Sequence, residues 1–311
     1  MPDKEDTVVN FPLPDQNLIQ NFVLESSAIR GRVIRLGSVL DKIVSAHDAP
    51  EAIAHLMAET VALSAVLSSM LKYEGIFILQ VQGDGPVSMV VCDVNSEGHV
   101  RGCVTYNEEK YKSKLKEKKG GSLNLEDMFG TGYLAFTVDQ GAHTERYQGI
   151  VALDGENLEE CVQHYFEQSE QVETVIRLSV GRVDDAWRAG GIMIQRMPLD
   201  EKDVQSEVIE QEEENWARSS ILLKTCKDVE LLDEKLHENT ILLRLFHEEG
   251  VRVLDSKDLI AKCRCSEERL LGILSTMPKD DIEHIIEDGK IMMTCEFCKT
   301  TYAIIPPDEL L

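Results

Sequence analysis

The spacing of apolar residues changes period several times along the chain. Residues 19–24 and 29–36 read as strands, the second alternating through Ile29, Arg30, Gly31, Arg32 and Val33 before Gly37 ends it. A helix is expected over 39–46 and a longer one over 50–71, with Asp48 as N-cap and Pro50 in the first turn. Ile53, Leu56, Met57, Val61 and Leu67 fall at helical spacings, and the second half is apolar on most sides, which predicts burial. The period then returns to two. Residues 76–81, 87–94 and 100–106 read as successive strands, joined by Gly83-Asp84-Gly85-Pro86 and Asn95-Ser96-Glu97-Gly98. The first of these turns is no phosphate loop, because a strand follows it and not a helix. More strands are expected over 132–138, 148–153, 173–180 and 186–197, with a helix capped by Asn157 running to about residue 168. There is no regular βαβ rhythm. The pattern predicts an α+β fold with mostly antiparallel sheet.

The last third changes character. Residues 200–216 hold eight acids and one lysine, which marks a boundary or linker. Trp216, Leu222, Leu223, Cys226 and Val229 then recur at spacings of an amphipathic helix. Asn239 starts another, with Ile241, Leu242, Leu245 and Phe246 on one face and Gly250 as stop. Each apolar stripe must lie against something, so these helices form a connector on the first domain. Further on, Ser266 is an N-cap with Glu267 and Glu268 behind it. A second short helix spans 279–286 and ends near Gly289, and strands at 291–294 and 300–304 flank a knuckle. The expected division is a core domain over 1–199, an acidic helical linker over 200–254 and a small C-terminal domain over 255–311.

Charge narrows the function. The formal net charge is −24, which repels phosphate backbones and makes nucleic acid a poor partner. Residues 1–17, with Pro2, Pro12 and Pro14, read as a loose lead-in without the basic flank and apolar core of a secretory signal. The most apolar run, 61–71, is broken by Ser64, Ser68 and Ser69 and is too short to span a bilayer. A cytoplasmic protein that does not enter membranes is expected, with thiols kept reduced. Residues 110–119 carry six lysines against one glutamate and read as a solvated loop.

The chemistry concentrates in four cysteines. Cys263-Arg264-Cys265 is followed by 29 residues and then Cys295-Glu296-Phe297-Cys298. Two tight pairs bring four thiolates to one point, a closed tetrahedral zinc shell. Cys263, Cys265, Cys295 and Cys298 are therefore the expected ligands of one Zn2+ per chain. A segment of about sixty residues buries little, and zinc binding supplies on the order of 10–16 kcal/mol to such modules. Bound thiolate is also what oxidants attack. The most local disulfides are Cys263–Cys265 and Cys295–Cys298, and forming both removes every ligand. The competing reading is an inert structural zinc. No helix is expected at Cys295, which argues against a thioredoxin-type site. Cys92, Cys103, Cys161 and Cys226 are expected to be buried apolar-like residues. The histidines show no ligand spacing, and no catalytic constellation stands out.

Read with its surroundings, this arrangement resembles the heat shock protein 33 family of redox-regulated holdase chaperones of the bacterial cytosol. The resemblance extends to Gly83-Asp84-Gly85-Pro86, Gly98-His99-Val100-Arg101-Gly102, Glu145-Arg146-Tyr147-Gln148-Gly149-Ile150-Val151 and Tyr165-Phe166-Glu167-Gln168-Ser169-Glu170-Gln171. It includes Ala189-Gly190-Gly191 before Gln195-Arg196-Met197-Pro198, then Arg244-Leu245-Phe246-His247-Glu248-Glu249 and Thr294-Cys295-Glu296-Phe297-Cys298. It implies a mixed α/β core, a helical linker and a zinc domain held by the four named cysteines. It implies no enzyme, but ATP-independent holding of unfolding clients under oxidative stress. Activation would follow disulfide formation, zinc release, linker unfolding and homodimerisation. The acidic stretch near Glu212-Glu213-Glu214 would keep client complexes in solution. The apolar tail Tyr302-Ala303-Ile304-Ile305-Pro306-Pro307, the lysine island and Cys92, Cys103 and Cys161 depart from that pattern. Two other classes remain: a constitutive zinc-ribbon adaptor with structural zinc, and a thiol–disulfide oxidoreductase using Cys295 and Cys298.

Overall fold

The structure is a computed structural model and describes residues 17–70, 74–140, 147–198 and 206–306. The expected lead-in before Asn17 and the start of the acidic stretch lie outside the described residues. The first alternating runs close into a hairpin. β1 (Asn17–Leu24) and β2 (Ile29–Leu36) pair antiparallel from Asn17↔Leu36 to Leu24↔Ile29. α1 (Ser38–Ser45) and α2 (Glu51–Ser68) follow. Asp48 does not cap α2. It sits at φ 43°, and Pro50 holds the N-cap position, its carbonyl accepting from Ile53 and Ala54 N–H at 2.8 and 2.9 Å.

β3 (Ile76–Gly83), β4 (Val87–Asn95) and β5 (His99–Tyr106) form the expected meander. The lysine island is not a loop. It is α3 (Glu108–Glu117), with Asn107 Oδ1 accepting from Lys110 N–H at 2.9 Å. Glu108 and Glu109 lie at its positive end and Lys114 and Lys116 at its negative end, so cap and dipole outweigh the polarity that suggested a loop. The solvated part of the expectation holds, since only Tyr111 of this helix is buried. α4 (Leu125–Phe129), β6 (Gly132–Asp139), β7 (Tyr147–Ala152) and α5 (Leu158–Tyr165) come next, α5 capped by Asn157 and continued by a π-helical turn, Phe166–Glu170. β8 (Thr174–Val183) and β9 (Ala186–Arg196) meet at Asp184-Asp185, both with positive φ, as a two-residue hairpin turn demands.

The linker residues fold onto this frame as α6 (Ser206–Lys224), α7 (Asp228–Leu232) and α8 (Glu238–Phe246). From Ser206 onward the acidic stretch is therefore helix. The single helix expected across Trp216 to Val229 is broken after Lys224, and Val229 is 71% exposed on α7. β10 (Val251–Asp258), β11 (Ile260–Ala261), α9 (Glu267–Leu274), α10 (Lys279–His284), β12 (Ile291–Thr294) and β13 (Thr301–Ile304) complete the chain.

Among the described residues two large sheets result, besides the small β12–β13 hairpin, and the fold is α+β with antiparallel pairing dominant. One runs β10-β1-β2-β9-β8 and the other β11-β5-β4-β3-β6-β7, in which only the β11–β5 pairing is parallel. α2 lies between them. Its Met57 and Val61 share one core with Ile34 and Met193 of the first sheet and Leu79 and Val90 of the second. That explains a helix apolar all round. By length and composition α2 would be long and apolar enough to cross a membrane, but 78% of it is buried inside the fold. The other face of the five-stranded sheet carries the linker helices. Phe22, Val33 and Ile192 pack there with Leu223, Cys226, Leu231, Ile241, Leu242 and Phe246.

Candidate metal centre

Each cysteine pair is placed by its own local structure. β11 is held to β5 by Ile260 N–H on Gly98 O at 2.9 Å and Lys262 N–H on Val100 O at 3.1 Å. Cys263 and Cys265 leave that strand directly, and Ser266 then caps α9, accepting from Arg269 N–H at 3.3 Å. The second pair occupies the tip of the β12–β13 hairpin. There Cys295 N–H donates to Thr300 O at 2.9 Å and Lys299 N–H to Cys295 O at 2.8 Å, with Lys299 at φ 56°. No helix begins at Cys295.

The four sulfurs come together. Their Sγ atoms all lie within 4.8 Å of one another, with Cys263–Cys295 at 3.7 Å and Cys265–Cys298 at 3.4 Å. Four thiolates around a tetrahedral metal at about 2.3 Å would stand about 3.8 Å apart. The donor set thus fits a soft tetrahedral ion. The thiols are electrostatically unequal. Burial pushes Cys265 up to about 12, against the pull of the Tyr302 hydroxyl at 3.1 Å. Burial also opposes ionisation of Cys298, but the hydroxyl and backbone of Thr300 and the neighbouring sulfurs outweigh it and hold that thiol down to about 6. Four thiolates this close repel one another unless a cation stands among them.

The residues between the cysteines attach the cluster to the six-stranded sheet. Arg264 Nη2 donates to Asp93 Oδ2 at 2.9 Å, and Arg101 Nε donates to the same oxygen at 2.8 Å. Asp93 is only 2% exposed. The Arg101 guanidinium lies 3.9 Å from the centre of the Phe297 ring. His47, at the end of α1, faces Glu296 O through Nε2 at 3.1 Å. The apolar tail has a role as well. Ile304 is fully buried with Leu270, Leu274, Ile282 and Ile291 in a small separate core.

Sequence reasoning missed Asp93 and His47, whose partners in the cysteine segment, Arg264 and Glu296, lie far along the chain. It also missed Arg35, which is 4% exposed and donates to Leu231 O at 2.7 Å and Leu236 O at 2.9 Å, and also to Asp233 O. Leu231 is in the last turn of α7 and Asp233 and Leu236 follow it, so one guanidinium clamps the linker to β2. The remaining cysteines are as expected. Cys92, Cys103, Cys161 and Cys226 are buried and free, and burial raises all four thiols, Cys103 and Cys226 to about 11.

Comparison with known proteins gives the family. A family model described as Hsp33 protein matches residues 17–304. This chain belongs to the Hsp33 family. That family is one of chaperones and not of enzymes. Among Hsp33 relatives, the 33 kDa chaperonin of Caulobacter vibrioides is 39% identical over 297 residues, covering 94% of this chain and 95% of its own. Those of Proteus mirabilis and Escherichia coli O7:K1 are 34% and 33% identical, covering 94% and 93% of this chain and 95% and 92% of their own. The crystal structure of the Thermotoga maritima 33 kDa chaperonin superposes with a TM-score of 0.76 at 21% identity, covering 95% of this chain and 96% of its own, a likeness of fold.

Proposed function

We propose that this Hsp33 chain is a redox-regulated, ATP-independent holdase of the cytosol, inactive while zinc-bound and reduced. Cys263, Cys265, Cys295 and Cys298 are the ligands in this reading. The observation that carries it is the way the site is attached. The residues lodged between the cysteines, Arg264, Glu296 and Phe297, are the ones that meet the core. A change at the sulfurs therefore reaches the docking contacts directly. Bound zinc supplies the charge that lets four thiolates share one point.

The chain's own residues do the rest. Each pair of thiolates gives up two electrons to one peroxide, which takes two protons from solvent, so that one S–S bond and two waters form and the pair no longer offers ligands. Cys263–Cys265 and Cys295–Cys298 are the pairs that short loops keep near each other once the site opens. Arg264 and Phe297 then leave Asp93 and Arg101, and the five buried apolar side chains of the C-terminal segment are too few to hold it folded. The linker follows, because β10 joins it to that segment and is an edge strand with an exposed, polar sequence. Undocked α6–α8 expose Leu223, Leu242 and Phe246, an apolar surface for unfolding clients with the acidic run beside it for solubility. The domain division at residues 199 and 254 belongs to the same reading, as does homodimerisation of the activated form.

The test is paired. Reduced, zinc-loaded protein is treated with peroxide under mild heat, and zinc release and suppression of client aggregation are followed in one sample. Both rise together and reverse with dithiothreitol if the cluster is the switch. Retained zinc with unchanged aggregation makes the site a structural one and defeats the reading.

A further inference from the structure

Among the described residues, two arginines of β2 form no ion pair with a carboxylate. Strand alternation puts Arg30 and Arg32 on the face of the sheet that carries Ile34 and turns toward α2. Arg32 is 3% exposed. It donates through Nη1 to Gln195 Oε1 at 3.1 Å, and Arg30 Nη2 reaches the same oxygen at 3.5 Å. The Nε of both guanidiniums is buried without an acceptor. Among the described residues neither arginine has a carboxylate within ion-pair distance. Burial depresses both, and the Arg30 charge depresses Arg32 further, to about 9. The other deeply placed arginines are answered: Arg35 by backbone carbonyls, Arg101 and Arg264 by Asp93. Two like charges around one neutral amide, Arg32 buried and Arg30 half-buried, are costly, and folds keep such groups where something else binds them.

Beside Arg30 is a cavity of about 130 Å³, and Arg32 lies behind its Gln195 wall, on the Gln195 oxygen. Arg30 and Gln195 form its polar end, and Leu67, Phe77, Phe136 and Phe166 form its walls. Its other polar groups, the Tyr147 hydroxyl and the Glu170 carboxylate, are engaged with each other, and Glu170 Oε1 also accepts from the Tyr165 hydroxyl at 2.7 Å. An apolar protein cavity of roughly 150 Å³ takes a benzene ring. We propose that this cavity binds a small aromatic carboxylate. Its ring fills the apolar space, and its carboxylate replaces the Gln195 oxygen as acceptor for Arg30 and Arg32. A cation is excluded by the two guanidiniums, and a phosphate ester is too polar for phenylalanine walls.

Benzoate is the probe and benzyl alcohol its neutral counterpart, titrated into full-length, reduced, zinc-loaded protein by calorimetry and by thermal melting. Benzoate should bind saturably, at least tenfold tighter than benzyl alcohol, and raise the melting temperature. Arg30→Met should weaken benzoate at least tenfold. Arg32→Met should abolish binding and yet raise the melting temperature of the ligand-free protein, because an apolar chain replaces an unanswered buried charge. If benzoate binds no better than benzyl alcohol, there is no anion site. If Arg32→Met lowers the ligand-free melting temperature, the pair is structural and the proposal falls.

Discussion

Asp93 is the residue on which the candidate site turns. Its Oδ2 takes both Arg101 and Arg264, while its buried Oδ1 has no partner. Removing one member of a buried ion pair costs about 3–5 kcal/mol, much of it from the charges left behind. Asp93→Asn keeps the shape and leaves two guanidiniums facing each other. Zinc release at fixed peroxide, read with a colorimetric indicator, should be severalfold faster than in the parent, with far-UV circular dichroism unchanged. An unchanged release rate would take the Asp93 contacts out of the coupling. A second residue-scale effect lies far from the cysteines. Burial raises Glu159 to about 8, with the Glu59 charge adding to it, and burial raises Glu59 to about 7. Both hold their proton more tightly folded than unfolded. Their contribution to stability is full below the ordinary carboxylate range and is lost as pH rises through about 7 to 8. The melting temperature of zinc-saturated protein should fall between pH 6 and 9, and fall less in Glu159→Gln.

At the scale of elements, the linker helices are held by a few strong contacts. Phe246 is fully buried and stacks on Phe22 with ring centres 5.9 Å apart. Arg218 grips Glu249 through two hydrogen bonds, at 2.6 and 2.9 Å, and Gln20 meets Asn239 at 2.6 Å. Phe246→Ala should cost about 3–5 kcal/mol, concentrated on α8 and its seat. If the linker is the covered client surface, this variant should suppress client aggregation while still reduced and zinc-loaded. Val229→Ala, at a position 71% exposed on α7, should match the parent in the same assay. Equal activity in all three would mean that the linker face is not the one that holds clients. Gly190 shows how closely the linker is fitted, since a Cβ there would come within 2.1 Å of Leu231 O.

Over the whole molecule, stability is unevenly spread. The two sheets share α2 and one large core, whereas the C-terminal segment has its own five-residue core and the four sulfurs. Chelating the metal from reduced protein should therefore remove amide-exchange protection from residues 260–306 and leave β2, β9, β3 and β4 protected. Loss of protection across both sheets at once would mean that the segment is no separate unit. The exchange experiment also reads β10, whose pairing with β1 from Leu24↔Val251 to Leu18↔Asp258 is the mechanical tie between segment and linker.

Much of this protein was settled by the sequence alone, because the deciding interactions are local. The α+β class follows from apolar periods of two and near four, the helix starts at Asn157 and Ser266 from single side-chain caps, and the cysteine cluster from spacings of one and two residues within each pair. Locality also explains the errors. The α3 lysines read as a loop on charge alone, and Asp48 read as a cap on residue type alone, although its backbone is left-handed. What only the tertiary structure decided depends on sheet register and on residues far apart. Arg264 meets Asp93 across 171 positions, and Arg35 reaches the Leu236 carbonyl after α7 across 201. β10 carries no apolar alternation to announce it, and is a strand because β1 offers it a free edge. No short-range rule specifies such partners; they are chosen when the sheets close around α2 and the chain returns to their edges.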